Sequence, residues 1–519
     1  MNQPAYLGDH AALAPDKPAV VMASTGVVRT YREVDEASNR LAQYLYGIGL
    51  RRGDHIAILM ENNIRYLDVC WAAMRSGLIV TPVNRYLTPG EADYILQDCG
   101  AQVVISSYAM RELAGSLQAT QDMRALLMVD GTLPGWRDLD TTIADCPATP
   151  LADEWLGSIM LYSSGTTGRP KGILRPLTGG KVQDGITIQQ VLKRYGLSRD
   201  SVYLCPAPLY HSAPVTYAIG AHFEGATVVV MDKFDPVDAL HAIERHRITH
   251  SQWVPTMFIR MLRLPQEDRE RFDLSSHQVA VHAAAPCPIA VKQRMIEWWG
   301  PILQEYYAGT EGNGFTDIDS HDWLKHPGSV GRVLIGELHI CDENGKELPP
   351  NEPGLIYFAQ PEMPFSYHNA PEKTKSAQHP IHPNWSTLGD IGKVDEEGYL
   401  YLTDRKAFMI ISGGVNIYPQ QVEDALMQHP DVVDAGVIGV PDEEMGEAVK
   451  AIIEPVPERS RDADFVQELT EFVRARVARY MVPRSIEFVD EMPRLATGKL
   501  NKFALRDQFG QSSVKAQTA

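Results

Sequence analysis

The sequence predicts an α/β protein, with a large N-terminal region of parallel strands alternating with helices and a small α+β unit behind it. Three observations predict this. Helix-like and strand-like patterns alternate between about residues 30 and 129, the same rhythm returns at 226–246, and beyond about residue 404 the elements become shorter. At 519 residues the chain exceeds one ordinary core, since domains run to roughly 150 residues.

Residues 31–48 carry a helical pattern and are followed by the apolar run His55-Ile56-Ala57-Ile58-Leu59-Met60. A helix-like stretch over 65–76 leads into Leu78-Ile79-Val80, and such strand, helix, strand alternation is what parallel pairing requires. The run Ala226-Thr227-Val228-Val229-Val230-Met231 precedes a helix over 236–246, with Asp235-Pro236 as its start signal. In the last unit the expected order is a helix over 418–428, strands over 432–440 and 447–456, and a helix over 464–478. Phe465, Leu469, Phe472 and Val473 share one stripe of that last helix.

Lys and Arg number 48 against 66 Asp and Glu, a formal charge of −18, which disfavours a nucleic-acid surface or anionic lipid. It does not disfavour a small polyanion held by a few local cations and backbone N–H groups. The six cysteines contain no C-x-x-C pair, so a zinc ribbon, an iron–sulfur site and a disulfide framework are all disfavoured and a reducing cytoplasm is expected. The first residues lack a basic region ahead of an apolar core, and no apolar stretch approaches 18 residues; neither export nor a membrane span is expected.

The most informative segment is Ser163-Ser164-Gly165-Thr166-Thr167-Gly168-Arg169-Pro170-Lys171-Gly172, preceded by the apolar Ile159-Met160-Leu161-Tyr162. Glycines let the backbone turn and present N–H groups, hydroxyls add donors, and Lys171 adds a mobile charge, as a polyphosphate requires. Lys171 is followed by Gly172 where the P-loop needs Ser or Thr for magnesium, which disfavours a GTPase or ATPase motor. The segment resembles the signature of the AMP-forming adenylating enzymes, the superfamily of acyl-CoA synthetases, peptide-synthetase adenylation domains and beetle luciferases. Further matching motifs follow in the family's order, so that the resemblance covers about residues 30–506.

Tyr306-Tyr307-Ala308-Gly309-Thr310-Glu311-Gly312 resembles the family's Tyr-Gly-x-Thr-Glu motif. The resemblance implies Tyr307 against adenine, Thr310 on the α-phosphate, and Mg²⁺ held by Glu311 and Thr166. His282-Ala283-Ala284-Ala285-Pro286 resembles the segment around the adenine edge. Asp390, in Leu388-Gly389-Asp390, and Arg405 match the ribose-binding pair, although Leu388 stands where the family has Thr. Pro493-Arg494-Leu495-Ala496-Thr497-Gly498-Lys499 resembles the motif whose lysine reaches the reacting carboxylate and α-phosphate. The implied ATP and AMP set is thus Ser163, Ser164, Gly165, Thr166, Thr167, Gly168, Lys171, Ala284, Ala285, Pro286, Tyr307, Thr310, Asp390, Arg405 and Lys499, with Lys499, Glu311 and Thr166 catalytic.

Tyr210-His211-Ser212 resembles the family's aromatic gate, and the implied acyl pocket takes in Tyr210, His211, Tyr217, His282, Ala283, Ala308 and Gly309, with His222 and Trp253 as further lining. Ser412-Gly413-Gly414 resembles the loop beside the pantetheine of CoA. By resemblance the fold has parallel sheets with a β-barrel-like part in an adenylation region 1–404, a hinge at 405–408 with Ala407 at the family's hinge position, a mobile C-terminal domain 409–510 and a tail 511–519.

The implied activity is an acyl-CoA ligase using ATP, Mg²⁺ and CoA on a hydrophobic acid. Residues 404–419 are nearest to bacterial fatty-acyl-CoA synthetases and favour a fatty acid, with an aryl, phenylpropanoid or steroid-derived acid as the alternative. A luciferase-like oxygenase, a peptide-synthetase domain and a non-catalytic nucleotide-binding protein are the competing classes. The expected partners are small molecules, with no nucleic acid, peripheral membrane contact if the acid is long, and a homodimer left open.

Overall fold

The computed structural model describes residues 6–163, 170–405, 408–412, 415–442, 445–494 and 499–510. Two sheets with parallel cores carry the N-terminal region. The larger has nine strands, and its parallel core runs in the order Leu303–Ala308, Val279–His282, His250–Trp253, Val202–Cys205, Thr227–Val230 and Pro18–Met22. The second has six strands, all parallel, with His55–Leu59 between Ala101–Ser107 and Ile79–Pro82. Nearly every side chain of these central strands is buried, which is why they read as unbroken apolar runs rather than as alternation.

Local signals start the helices where the sequence places them. Thr30 and Glu33 form a reciprocal capping box at the head of the helix Tyr31–Gly47. Asp235 accepts from the amides of Val237 and Asp238 to open the helix Pro236–Arg245.

Two buried polar clusters tie the layers together. Arg75, fully buried at the end of the helix Tyr66–Arg75, donates from Nε to Glu154 at 2.7 Å and from Nη2 to Asp35 at 2.9 Å, while its Nη1 reaches Ser38 at 2.8 Å. Glu154 stands just ahead of the strands Ser158–Ile159 and Leu161–Ser163, so this cluster fixes the approach to the glycine-rich loop. The second cluster is Trp71–His222–Ala19. Trp71 Nε1 donates to His222 Nδ1 at 3.0 Å, and Nε2 of the ring lies 3.0 Å from the Ala19 carbonyl, which selects the neutral Nε2–H tautomer. His222 therefore belongs to the packing between layers, which corrects its assignment to the acyl pocket. It lies five positions from Tyr217 on the helix Ser212–Phe223, about 140° around the axis.

The barrel-like part is a five-stranded antiparallel sheet built from Glu337–Cys341, Gly354–Ala359, Trp385–Ser386, Asp390–Val394 and Leu400–Arg405. A separate sheet begins at Ile410–Ser412 and is dominated by the long antiparallel pair Val432–Asp442 and Gly446–Pro455. The helix Ala463–Arg474 buries Phe465, Leu469 and Val473 against it. Phe472 sits at the margin of the same stripe, edge-on to His429 with the Arg476 guanidinium over its face. No helix of the described residues is long and apolar enough to cross a membrane.

Arg75→Met leaves Asp35 and Glu154 without their buried cation and is expected to cost about 3–5 kcal/mol of stability, read by urea denaturation. Acid should act through His222, whose burial lowers its pKa from 6.5 to about 4. The unfolded chain binds this proton first, so stability falls as pH drops from about 6.5 to about 4, by about 3 kcal/mol from this ring alone. His222→Gln should flatten the dependence in that window; an unchanged slope would show that the ring does not contribute.

Candidate active site

A cleft of ≈ 2140 Å³ opens beyond the C-terminal ends of the larger sheet's parallel strands and is closed on its far side by residues of the C-terminal unit. The register explains why the lining converges. Trp253 pairs with His282 and His282 with Glu305, so two strands end at one level while the third runs on to Ala308, and the segments after them border one cleft. A fourth segment, 206–211, is held from the second sheet. Buried Asn62 accepts from the Leu209 amide at 2.8 Å and donates to the carbonyls of Met231 and Ala207 at 2.7 and 3.1 Å.

At the polar end, the strands Leu161–Ser163 and Lys171–Leu174, which flank the glycine-rich segment, pair antiparallel with Lys171 opposite Ser163. Ser164, Gly165, Thr166, Thr167 and Gly168 lie outside the described residues, as does the side chain of Ser163. Lys171 Nζ lies 5.3 Å from the centre of the Tyr367 ring, and Tyr367 donates to Glu311 Oε1 at 2.9 Å. Burial lowers the Lys171 pKa, with Lys373 adding to it and Glu311 opposing. Arg175 donates from Nη2 and Nε to the Thr310 carbonyl at 2.6 and 3.2 Å and so anchors the turn that bears Glu311. Tyr307 donates to Asp390 Oδ2 at 2.7 Å, which brings together the two residues expected at adenine and ribose. Asp390 and Arg405 are backbone partners across their antiparallel strands.

Gly309 is closely packed. A Cβ there would stand 2.3 Å from Leu388 Cδ1 and 3.0 Å from Glu311 Oε2. Ala284 turns the chain at φ +77°, a left-handed conformation that ordinarily favours glycine, and with Ala285 and Pro286 it lines the cleft.

At the apolar end, Tyr210, His211, Tyr217, Trp253, Ala283 and Ala308 line the cavity, joined by Gln252 and Tyr306. His282 does not. As the last strand residue before Ala283 it points to the opposite side, where it is buried edge-on against Phe258 and its Nε2 lies 3.7 Å from Glu305. Burial holds its pKa well below the ordinary value and the Lys292 ammonium adds to this, so the ring is a neutral packing element. This corrects its place in the acyl set. Glu305 meets Lys292 at 2.5 Å in the same buried layer, and burial raises its carboxyl pKa against the opposing pull of that ammonium.

From the C-terminal unit, Lys499 lines the same cleft. Next to it Arg494 and Leu500 form an isolated antiparallel bridge, and Asn501 N–H donates to the Pro493 carbonyl at 2.9 Å. Ser412 is buried in its strand opposite Val415 and does not line the cleft; Gly413 and Gly414 lie outside the described residues, as does the hinge residue Ala407.

Arg175, Tyr367, Asn62 and Gln252 carry no motif and escaped the sequence reading. The one usable signal was weak: a second cation four residues after Lys171.

Comparison with known proteins adds the following. Residues 7–368 match the AMP-binding enzyme model and residues 421–499 the AMP-binding enzyme C-terminal domain model. The chain is 32% identical over 502 residues to a feruloyl-CoA synthase of Amycolatopsis sp., covering 96% of this chain and 97% of that one. It is 30% identical over 518 residues to the long-chain-fatty-acid–CoA ligase FadD13 of Mycobacterium tuberculosis, covering 98% and 99%. ATP-bound MatB from Rhodopseudomonas palustris superposes with a TM-score of 0.83 at 28% identity, over 98% of this chain and 99% of that one.

Arg175→Ala should lower adenylate formation by about tenfold, because the Thr310–Glu311 turn loses its anchor. Arg175→Lys should recover little, since one ammonium cannot present two N–H groups in the guanidinium's fork. Pyrophosphate exchange measures both.

Proposed function

We infer the reaction from one premise: the chain belongs to the AMP-binding enzyme family. It is an acid–thiol ligase of the AMP-forming acyl-CoA type, and its family uses ATP, Mg²⁺ and CoA. What supports specific roles for its residues is that Lys499, from the C-terminal unit, lines the same cleft as Lys171, Tyr307, Glu311 and Asp390.

In our reading the substrate carboxylate attacks the α-phosphorus of ATP, the bond to pyrophosphate breaks, and an acyl-adenylate forms. The CoA thiol, losing its proton, then attacks the acyl carbonyl and AMP leaves. A carboxylate is already ionised at neutral pH, so no general base is needed for the first step. Lys499 meets the charge developing between carboxylate and phosphate, Lys171 neutralises phosphate oxygens, and the Tyr307–Asp390 pair orients the nucleoside. His211, at the head of the helix Ser212–Phe223 and against Tyr210 with ring centres 4.3 Å apart, positions groups at the gate.

Magnesium fits this donor set. Glu311 offers one carboxylate beside the phosphate end, where phosphate oxygens and water would supply the remaining ligands. When bound it supplies charge neutralisation. Residues 405–408 serve as the hinge that withdraws Lys499 before the thiol arrives.

The acid is a hydrophobic monocarboxylic acid. The apolar lining at 186–191 and 214–219 supports this. A fatty acid is the member of this class that the resemblance over 404–419 favours. The two relatives carry names for a feruloyl and a long-chain substrate at nearly equal identity, so they do not choose between ring and chain.

Lys499→Ala should lower adenylate formation by about 10²–10³-fold while sparing thioester formation from supplied acyl-adenylate. Both half-reactions surviving intact would remove the lysine from the mechanism. A panel of acids assayed for pyrophosphate release with and without CoA tests the ligase reading itself.

A further inference from the structure

A cation of the N-terminal region holds the C-terminal unit from outside the cavity. Arg263 follows the helix Pro255–Leu262, and its guanidinium donates from Nη2 to the main-chain carbonyl of Val433 at 2.5 Å. Val433 is the second residue of the strand Val432–Asp442. The ladder with Gly446–Pro455 pairs Val432 with Pro455 and Asp434 with Glu454, so Val433 stands between these pairs with no partner of its own. A bulge of this kind releases main-chain groups from the ladder, and a released carbonyl needs a donor from elsewhere.

The next residue carries the contact on to the lysine. Buried Asp434 accepts from Arg494 through both Nε, at 3.0 Å, and Nη2. Arg494 stands five residues before Lys499 and forms the bridge with Leu500 just beyond it. Glu454, opposite Asp434, accepts from the Met492 N–H at 2.8 Å, so the chain leading into the lysine segment is tied to the same place twice. Burial lowers the Arg263 pKa, Glu454 and Asp434 oppose this, and Arg494 and Arg260 add to it. Two carboxylates of the C-terminal unit thus act on this one cation of the N-terminal region. Arg263 itself stands outside the cavity lining, whereas Asp434, Arg494 and Lys499 belong to it.

We propose that Arg263 is a positioning residue for adenylation: its bond to the Val433 carbonyl latches the C-terminal unit in the placement that presents Lys499 to the cleft, and is given up when that unit turns away for the thiol step. The inference rests on the ligase reading and on the withdrawal of Lys499 within it. A charged donor on a carbonyl favours the arrangement that makes the bond over one that does not, so its loss shifts the population of the unit while touching no reactant.

The test uses the full-length enzyme and a panel headed by decanoic acid and 3-phenylpropenoic acid, taking forward the acid that the unaltered enzyme turns over fastest. Arg263→Ala should lower kcat for pyrophosphate exchange by about tenfold and leave KM for ATP and for the acid within about twofold. Thioester formation from the supplied acyl-adenylate and CoA should not fall. Arg263→Lys keeps a charged N–H donor for one carbonyl and should recover at least half of the lost rate. Arg263 is exposed at the rim, so the urea midpoint of Arg263→Ala should match that of the unaltered chain. The proposal is overturned if exchange in Arg263→Ala falls by less than about threefold, if both half-reactions fall together, or if Arg263→Lys recovers nothing. Each of these results leaves the ligase reading standing. Absence of exchange with every acid in the unaltered enzyme would overturn both.

Discussion

The cleft hangs from the register of the larger sheet's parallel strands. Trp253, His282 and Glu305 are neighbours across it, so two strands stop at that level, the third carries Tyr306, Tyr307 and Ala308 past it, and all three lead into the lining of one cavity. Behind this front the pairing of Lys292 with Glu305 keeps the helix Ile289–Trp299 on the strand that carries Tyr306 and Tyr307. Two charges taken from water to that depth gain little net stability as a pair, but neither can leave without stranding the other. The pair thereby fixes the position of the strand more firmly than apolar packing alone would.

Much of the chemistry was legible because it is local. A run of glycines and hydroxyls suits a polyphosphate by its composition, the Thr-Glu and Gly-Lys patterns take their roles from the family resemblance, and the strands and helices around them follow from periodicity. What was not legible depends on which way a side chain points. His222 and His282 were assigned to the pocket by their nearness in sequence to Tyr217 and Ala283. Helical rotation turns the first toward Trp71, and strand alternation turns the second toward Phe258. Arg175 and Asn62 act on backbone carbonyls and amides far away in sequence, and such partners exist only after folding.

The net charge of −18 suggested a surface that repels polyanions, and the cleft shows how the protein accommodates one regardless. Lys171, Arg175 and Lys499 all line the cavity, although carboxylates such as Glu311 and Asp390 border it too. A field focused in a concave, partly dry site is set by the nearest few charges, not by the sum over the molecule. The same division separates the two ends of the cavity, ionic where phosphates would lie and aromatic where the acyl group would.

The contact between Gly309 and Leu388 has an evolutionary consequence. With a Cβ at 309 falling 2.3 Å from the leucine's methyl carbon, a side chain there requires the Leu388 side chain to turn aside. The two positions are therefore coupled: a change at 309 is felt at 388, and a smaller residue at 388 would relieve the crowding and widen the choice of side chains at the floor of the pocket.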